Sequence, residues 1–215
     1  LASMGLQWLL RDSGPLTVGA GQVGGLGKTE HAPDSRADIL FNVMPLSVDK
    51  PGTPLHRYSG FTASAAQCRP RSKGSVMIAT PDPLAPPRID TNYLADELDR
   101  KTIVAGLKML REIYAQPAFK GFVEAEVLPG PETHTDAALL DFAREKGSTV
   151  FHPAGTCRMG SDERSVLDPA LRVRGVESLR VIDASAMPEM VSTNTNAAAV
   201  LIGEKGAHHV LEAVK

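Results

Sequence analysis

Cysteine is scarce in this sequence. Only Cys68 and Cys157 occur, far apart and outside any C-x-x-C spacing, which excludes a disulfide framework and a thiolate zinc site. Two reduced thiols in a reducing, cytoplasmic compartment are the expectation. An excess of one charge is also lacking: 23 Lys and Arg stand against 25 Asp and Glu, a formal net charge of -2. No broad positive field draws the chain toward nucleic acid or anionic lipid, so neither is an expected partner. Uninterrupted apolar runs never approach the ~18 residues of a membrane span, and the first residues lack a basic, apolar, small-residue secretion pattern. No transmembrane segment is expected, and no internal repeat is visible.

What is present is ample material for a core. The chain has 215 residues, 42% of them hydrophobic, enough for one large domain or two small ones. It begins at Leu1 with "GLQWLLRDSGPL" close behind, which reads like the middle of a helix running into a turn. A fragment of a longer protein is the expectation. Apolar residues at helical spacing in "LQWLLRD" stop at Ser13-Gly14-Pro15, and a glycine-rich loop is expected from there to about Asp34. The stretches 37–46, 60–70, 74–80, "FVEAEVLPG" and 179–185 read as strands, whereas "DPLAPPRIDTNYL" is too rich in proline for regular structure. A long amphipathic helix is predicted from about Asp96 to Ala115, with Ile103, Leu107, Leu110 and Tyr114 on one face. A second helix lies in "TDAALLDFAREKG", capped by Thr135 and Gly147, and a last one runs from Asn196 to about Val214. Strands followed by helices, without regular alternation, argue for an α+β fold.

"TVGAGQVGGLGKTE", residues 17–30, contains two nucleotide-binding patterns: Gly19, Gly21 and Gly24 satisfy G-x-G-x-x-G, and Gly27-Lys28-Thr29 resembles the tail of a phosphate loop. A dinucleotide fingerprint needs a strand before it and an apolar-striped helix after it, and neither is present. The phosphate-loop spacing fails because Gln22 stands where glycine is required. These glycines read as a loop bordering a sheet.

The informative end is "FHPAGTCRMGSDERSVLDPALRVRGVESLRVIDASAMPEMVSTNTNAAAVLIGEKGAHH". Together with "GLQWLLRDSGPLT" and "PRSKGSVMIATPDPLAPPRIDTNYL", in this order and spacing, it resembles the glucose-methanol-choline (GMC) oxidoreductases, flavoproteins that oxidise alcohols. The resemblance implies that His152, opening H-P-x-G-T-x-R-M-G, is the catalytic base. It implies that Asn196 is the second catalytic residue across the flavin ring, and that Asp183, Ala184, Thr195, Asn196 and Ala197 contact flavin adenine dinucleotide (FAD). It also implies an antiparallel or mixed sheet flanked by helices over residues 1–150, forming the substrate-binding domain. Residues 151–215 would then carry the catalytic motif and the closing strand and helix of the FAD domain.

Chemistry agrees with these roles. An alcohol gives up hydride readily only as it becomes an alkoxide, so the site needs a proton acceptor near neutral pH, a task suited to imidazole. Asn196 can donate an N–H to the developing oxyanion without competing for the proton. Flavin takes the hydride, since no side chain is a two-electron sink. Asn196 also starts a helix, whose free N–H groups favour the negative charge of a reduced flavin.

Each role has a structural rival: His152 as a turn residue, Asn196 as an N-cap, Asp183 as a cap for the turn before Pro188. His208 and His209 are adjacent, point to different sides of a helix and cannot chelate one metal, so they read as solvated last-turn residues. His31, His56 and His134 lie in polar loops and receive no role, Cys157 is expected to pack, and no metal is expected.

The glycine-bearing N-terminal unit of the family is missing from the sequence. The chain is therefore expected to be inactive alone, to hold FAD weakly or not at all, and to need that N-terminal FAD-binding segment as partner. The expected substrate is a small alcohol. Asn196 leans toward choline-like branches, but Trp8 and three tyrosines are thin material for a quaternary-ammonium cage. A redox-inactive interaction module and a hydroxynitrile-lyase-like relative remain as alternatives.

Overall fold

The computed structural model describes residues 2–17, 19, 21, 23–49, 52–192 and 194–214. Its elements are helix α1 (Ala2–Arg11), strands β1 (Val23–Gly27), β2 (Ile39–Met44), β3 (Thr62–Gln67), β4 (Ser75–Met77) and β5 (Arg88–Asp90), and helices α2 (Glu97–Tyr114), α3 (Asp136–Lys146) and α4 (Asn196–Ala213). Two units form, one from Leu1–Ala66 with Thr102–Ser148, the other from Gln67–Lys101 with Thr149–Lys215. Small sheets with flanking helices make this an α+β fold, as the element pattern predicts. Among the described residues no helix is long and apolar enough to cross a membrane.

In the first unit a three-stranded sheet has the order β1-β2-β3. Ile39 and Phe41 of β2 alternate inward and join Leu110 of α2 in a core, with Ala63, Ala65, Met109 and Tyr114 packed around them. The buried line of α2 includes Ala105 and Leu110, while the predicted face members Ile103, Leu107 and Tyr114 are only half-buried. Small residues lie deepest because the helix rests close on β2: a β-carbon on Gly106 would meet Ile39 Cδ1 at 2.9 Å.

The glycine stretch departs from expectation. Val23–Gly27 is strand β1, antiparallel to β2 with Val23 opposite Val43 and Gly27 opposite Ile39. Glycine carries no strand preference of its own, so this segment takes its conformation from its partner. The connection is closed by Asp38, whose carboxylate accepts from Thr29 N at 2.8 Å and Thr29 Oγ1 at 2.7 Å. Gln22, which breaks the phosphate-loop spacing, lies outside the described residues.

One other segment of this unit differs from its sequence pattern. "FVEAEVLPG" alternates but forms no β-ladder among the described residues. Arg111 stands in for a ladder, donating through Nε to Glu126 at 3.1 Å and through its terminal nitrogens to the carbonyls of Gly130 and Thr133. Helix α3 begins as predicted, with Thr135 Oγ1 accepting from Ala138 N, and Gly147 follows its end.

In the second unit the proline-dense stretch contains β5 after all, paired antiparallel with β4 from Ser75 opposite Asp90 to Met77 opposite Arg88. Asp99, 1% exposed, ties the start of α2 to residues 67–72: it accepts from Gln67 Nε2, Arg71 N, Ser72 N and Ser72 Oγ. The core of this unit is Leu167, Leu171, Ala186, Met187 and Ile202. The predicted strand 179–185 reduces to one bridge, Arg172 with Arg180, followed by a 3₁₀ turn at Ala184–Ala186. Helix α4 buries Ile202 and Gly206 and leaves Val200, Leu201 and Leu211 bare.

Candidate active site

Two motifs of the C-terminal third are fastened to each other by backbone. The N–H groups of Gly155, Cys157 and Met159 donate to the carbonyls of Ala184, Ser185 and Ala186 in turn, at 3.4, 3.0 and 2.9 Å. The "HPAGTCRMG" segment therefore lies along the "DASA" turn. Gly155 takes φ +83°, a left-handed conformation that favours glycine.

The end of that segment is a tight polar loop. Arg158 grips both carboxylate oxygens of Asp162 at 2.7 and 2.8 Å and reaches Ser165 Oγ at 2.9 Å. Hydrogen bonds from Arg158 and then from Ser165 hold the Asp162 carboxyl well below the usual carboxylate range. A β-carbon on Gly160 would meet Ser165 Oγ at 2.3 Å, so the glycine of R-M-G is the residue that lets the loop close.

His152 opens the segment. Phe151 before it holds φ +60°, an unusual conformation for a bulky residue, and Pro153 follows. The imidazole is half-buried, and its Nδ1 lies 3.1 Å from Oγ1 of Thr195, which is 8% exposed. Thr195 is the N-cap of α4, yet its side chain makes no cap bond, while its carbonyl accepts from Ala199 N at 2.9 Å. Asn196 and Ala197, the first residues of α4, are exposed. His152 is thus tied to the start of the helix that Asn196 begins, through the residue next to it.

Asp183 is exposed and precedes the 3₁₀ turn. Its Oδ1 accepts from Ser185 N at 2.7 Å and Ser185 Oγ at 2.5 Å, so it caps that turn, the structural role its sequence position also allowed. Ala184 is half-buried. A carboxylate, a terminal amide and a side-chain-uncapped helix start offer acceptors and donors of the kinds that a nucleotide-type cofactor engages.

Elsewhere the histidines divide. His208 and His209 both approach Glu212, at 3.1 and 3.9 Å, in the last turns of α4. His56 is better connected than its loop suggests: Nδ1 meets Ser47 Oγ at 2.9 Å and Tyr58 hydroxyl at 2.8 Å, and Nε2 lies 3.3 Å from Asp49. Partners nine and seven residues upstream in an irregular loop leave no periodic signal in sequence. Cys157 is half-buried against the core, and its thiol is free.

The match to the GMC oxidoreductase C-terminal family model covers residues 70–203. Among curated proteins, the chain is 35% identical over 207 residues to an alcohol dehydrogenase (acceptor) of Pseudomonas putida and 37% identical over 207 residues to an oxygen-dependent choline dehydrogenase of Proteus mirabilis, each alignment covering 96% of this chain. It spans about 37% of the length of these relatives. Pyridoxine 4-oxidase from Mesorbium loti superposes with a TM-score of 0.82 at 28% identity, over 90% of this chain and 38% of that one. Formate oxidase of Aspergillus oryzae shares the fold with a TM-score of 0.89 at 22% identity, over 97% and 41%. A family model matching well over half the residues, on the segment that holds His152, Asp183 and Asn196, gives the assignment: this chain belongs to the GMC oxidoreductase family.

Proposed function

We propose that this chain is the catalytic-motif portion of an FAD-dependent oxidoreductase that converts a CH–OH group to a carbonyl. The observation that carries the proposal is the His152–Thr195 hydrogen bond, which sets an imidazole beside the exposed start of α4. The relatives named alcohol dehydrogenase and choline dehydrogenase support a small alcohol as the substrate class.

His152 accepts the hydroxyl proton. The O–H bond breaks, the electron pair stays on oxygen, and the Asn196 amide donates an N–H to the alkoxide as it forms. The FAD would be held by Asp183, Ala184, Thr195, Asn196 and Ala197. The fit rests on the α4 start, where the Thr195 side chain makes no cap bond and the two first residues are exposed, and on Asp183, whose local bonds both fall on Oδ1. When bound, FAD supplies the two-electron acceptor that side chains lack.

Residues 151–215 carry the proton-transfer and cofactor-contacting groups in this reading, and residues 1–150 contribute substrate binding. Most of the grip on FAD comes from an N-terminal FAD-binding segment of the same protein. The relatives' greater length supports this, as do the bare apolar residues Val200, Leu201 and Leu211 on α4. A chain with only two cysteines, Cys68 and Cys157, favours a cytoplasmic setting.

The test is reconstitution. The chain alone should bind FAD weakly in equilibrium dialysis. Joined to an upstream FAD-binding segment it should turn yellow and bleach anaerobically with a simple alcohol. A yellow, folded assembly that no alcohol bleaches would overturn the redox reading and favour the interaction-module or lyase alternatives.

A further inference from the structure

We infer that the Thr195 hydroxyl is a positioning group for His152: it accepts the imidazole Nδ1–H and so makes Nε2 the nitrogen that receives the substrate proton. This rests on the reading of His152 as proton acceptor.

Three observations converge. Thr195 occupies the N-cap of α4, where a threonine hydroxyl ordinarily accepts from an N–H of the first turn, and here it makes no such bond. Its oxygen instead lies 3.1 Å from His152 Nδ1. The residue is nearly buried, and its carbonyl is fixed by Ala199 N, so the hydroxyl is mounted on the helix itself. On the other side, the backbone that presents the ring is held between Phe151 at φ +60° and Pro153, and Phe151 N is tied to Thr149 Oγ1 at 2.9 Å.

A neutral imidazole carries one proton, on either nitrogen. Only the form protonated at Nδ1 leaves a lone pair at Nε2. In that form Thr195 Oγ1 is the acceptor, and it remains the acceptor once Nε2 has taken the proton. The bond then becomes charge-assisted and stronger, favouring the state after transfer. Were Thr195 the donor, the proton would sit on Nε2 and the ring would meet the substrate without a vacant site.

The decisive measurement is ¹⁵N NMR of the 215-residue chain labelled at histidine, at a pH where the imidazoles are neutral. Loss of one pair of ring signals in His152→Ala identifies that pair among the six histidines. The expected result is a protonated-type signal for Nδ1 and an unprotonated-type signal for Nε2. Thr195→Val, which keeps shape and removes the hydroxyl, should abolish that preference, and Thr195→Ser should restore it. A wild-type ring protonated at Nε2 overturns the inference, and so does a Thr195→Val ring with the wild-type pattern. If the valine variant does not fold, the wild-type spectrum still decides. The experiment needs neither FAD nor turnover. Absence of alcohol-dependent bleaching, with the Nδ1–H form found, would therefore sink the oxidation reading and leave the positioning contact standing.

Discussion

Gly206 of α4 and Ile182 meet so closely that a β-carbon on the glycine would lie 2.2 Å from Ile182 Cγ2. Exposed helical glycines normally gain ~1 kcal/mol on replacement by alanine. Here overpacking works in the other direction, at about 1–3 kcal/mol. Gly206→Ala should lower stability in chemical denaturation, and Ile182→Ala in the same chain should recover part of the loss by removing the clashing atoms. A Gly206→Ala chain more stable than the wild type would refute the close packing.

The glycines of β1 should separate by position. Gly25 has open space where a side chain would go, so Gly25→Ala should be neutral or stabilising by about 0.5–1 kcal/mol. A β-carbon on Gly27 would sit 2.7 Å from Phe41 Cε2 and 3.0 Å from Met109 Cε, and Gly27→Ala should cost about 1–3 kcal/mol. Melting curves of the two variants check this. A nucleotide-dependent shift in the wild-type curve that Lys28→Ala abolishes would revive the phosphate-loop reading.

Asp99 should make the fold acid-sensitive. Burial pushes its carboxyl up, but bonds from Ser72, Arg71 and Gln67 outweigh burial and leave it below its ordinary range. A folded-state pKa lower than the unfolded one means that ionisation stabilises the fold above ~4 and that the contribution is lost as pH falls through the folded value. Asp99→Asn should cost about 1–3 kcal/mol at neutral pH, and the gap between variant and wild type should narrow in urea melts toward acid. A constant gap across pH would assign the loss to shape alone.

In a reconstituted holoenzyme, His152→Ala should slow single-turnover flavin reduction by about 10²–10⁴. Asn196→Ala should slow it by less, on the order of 10². An unchanged rate in the His152 variant would remove it from the chemistry.

Helices were the legible part of the fold. Helices α2, α3 and α4 announce themselves through period and punctuation, and Thr135 caps α3 as its position dictates. Segments whose structure depends on a distant partner were not legible. Val23–Gly27 becomes a strand because β2 lies beside it, 88–90 because β4 does, and "FVEAEVLPG" forms no ladder among the described residues despite its alternation. At the site, motif order identifies His152 and Asn196 as candidates, but the link between them runs through Thr195, across 43 residues of sequence. No local pattern encodes such a contact. The Ser47–His56 contact, nine residues apart in an irregular loop, likewise leaves no periodic signal.

The backbone bonds from 155, 157 and 159 to 184, 185 and 186 work like meshed gear teeth. Deleting one residue from either run would bring each later donor opposite the wrong carbonyl and rotate His152 away from α4. Chimaeras with other members of the family should therefore exchange both runs together, since a swap of one alone transplants half of a matched pair.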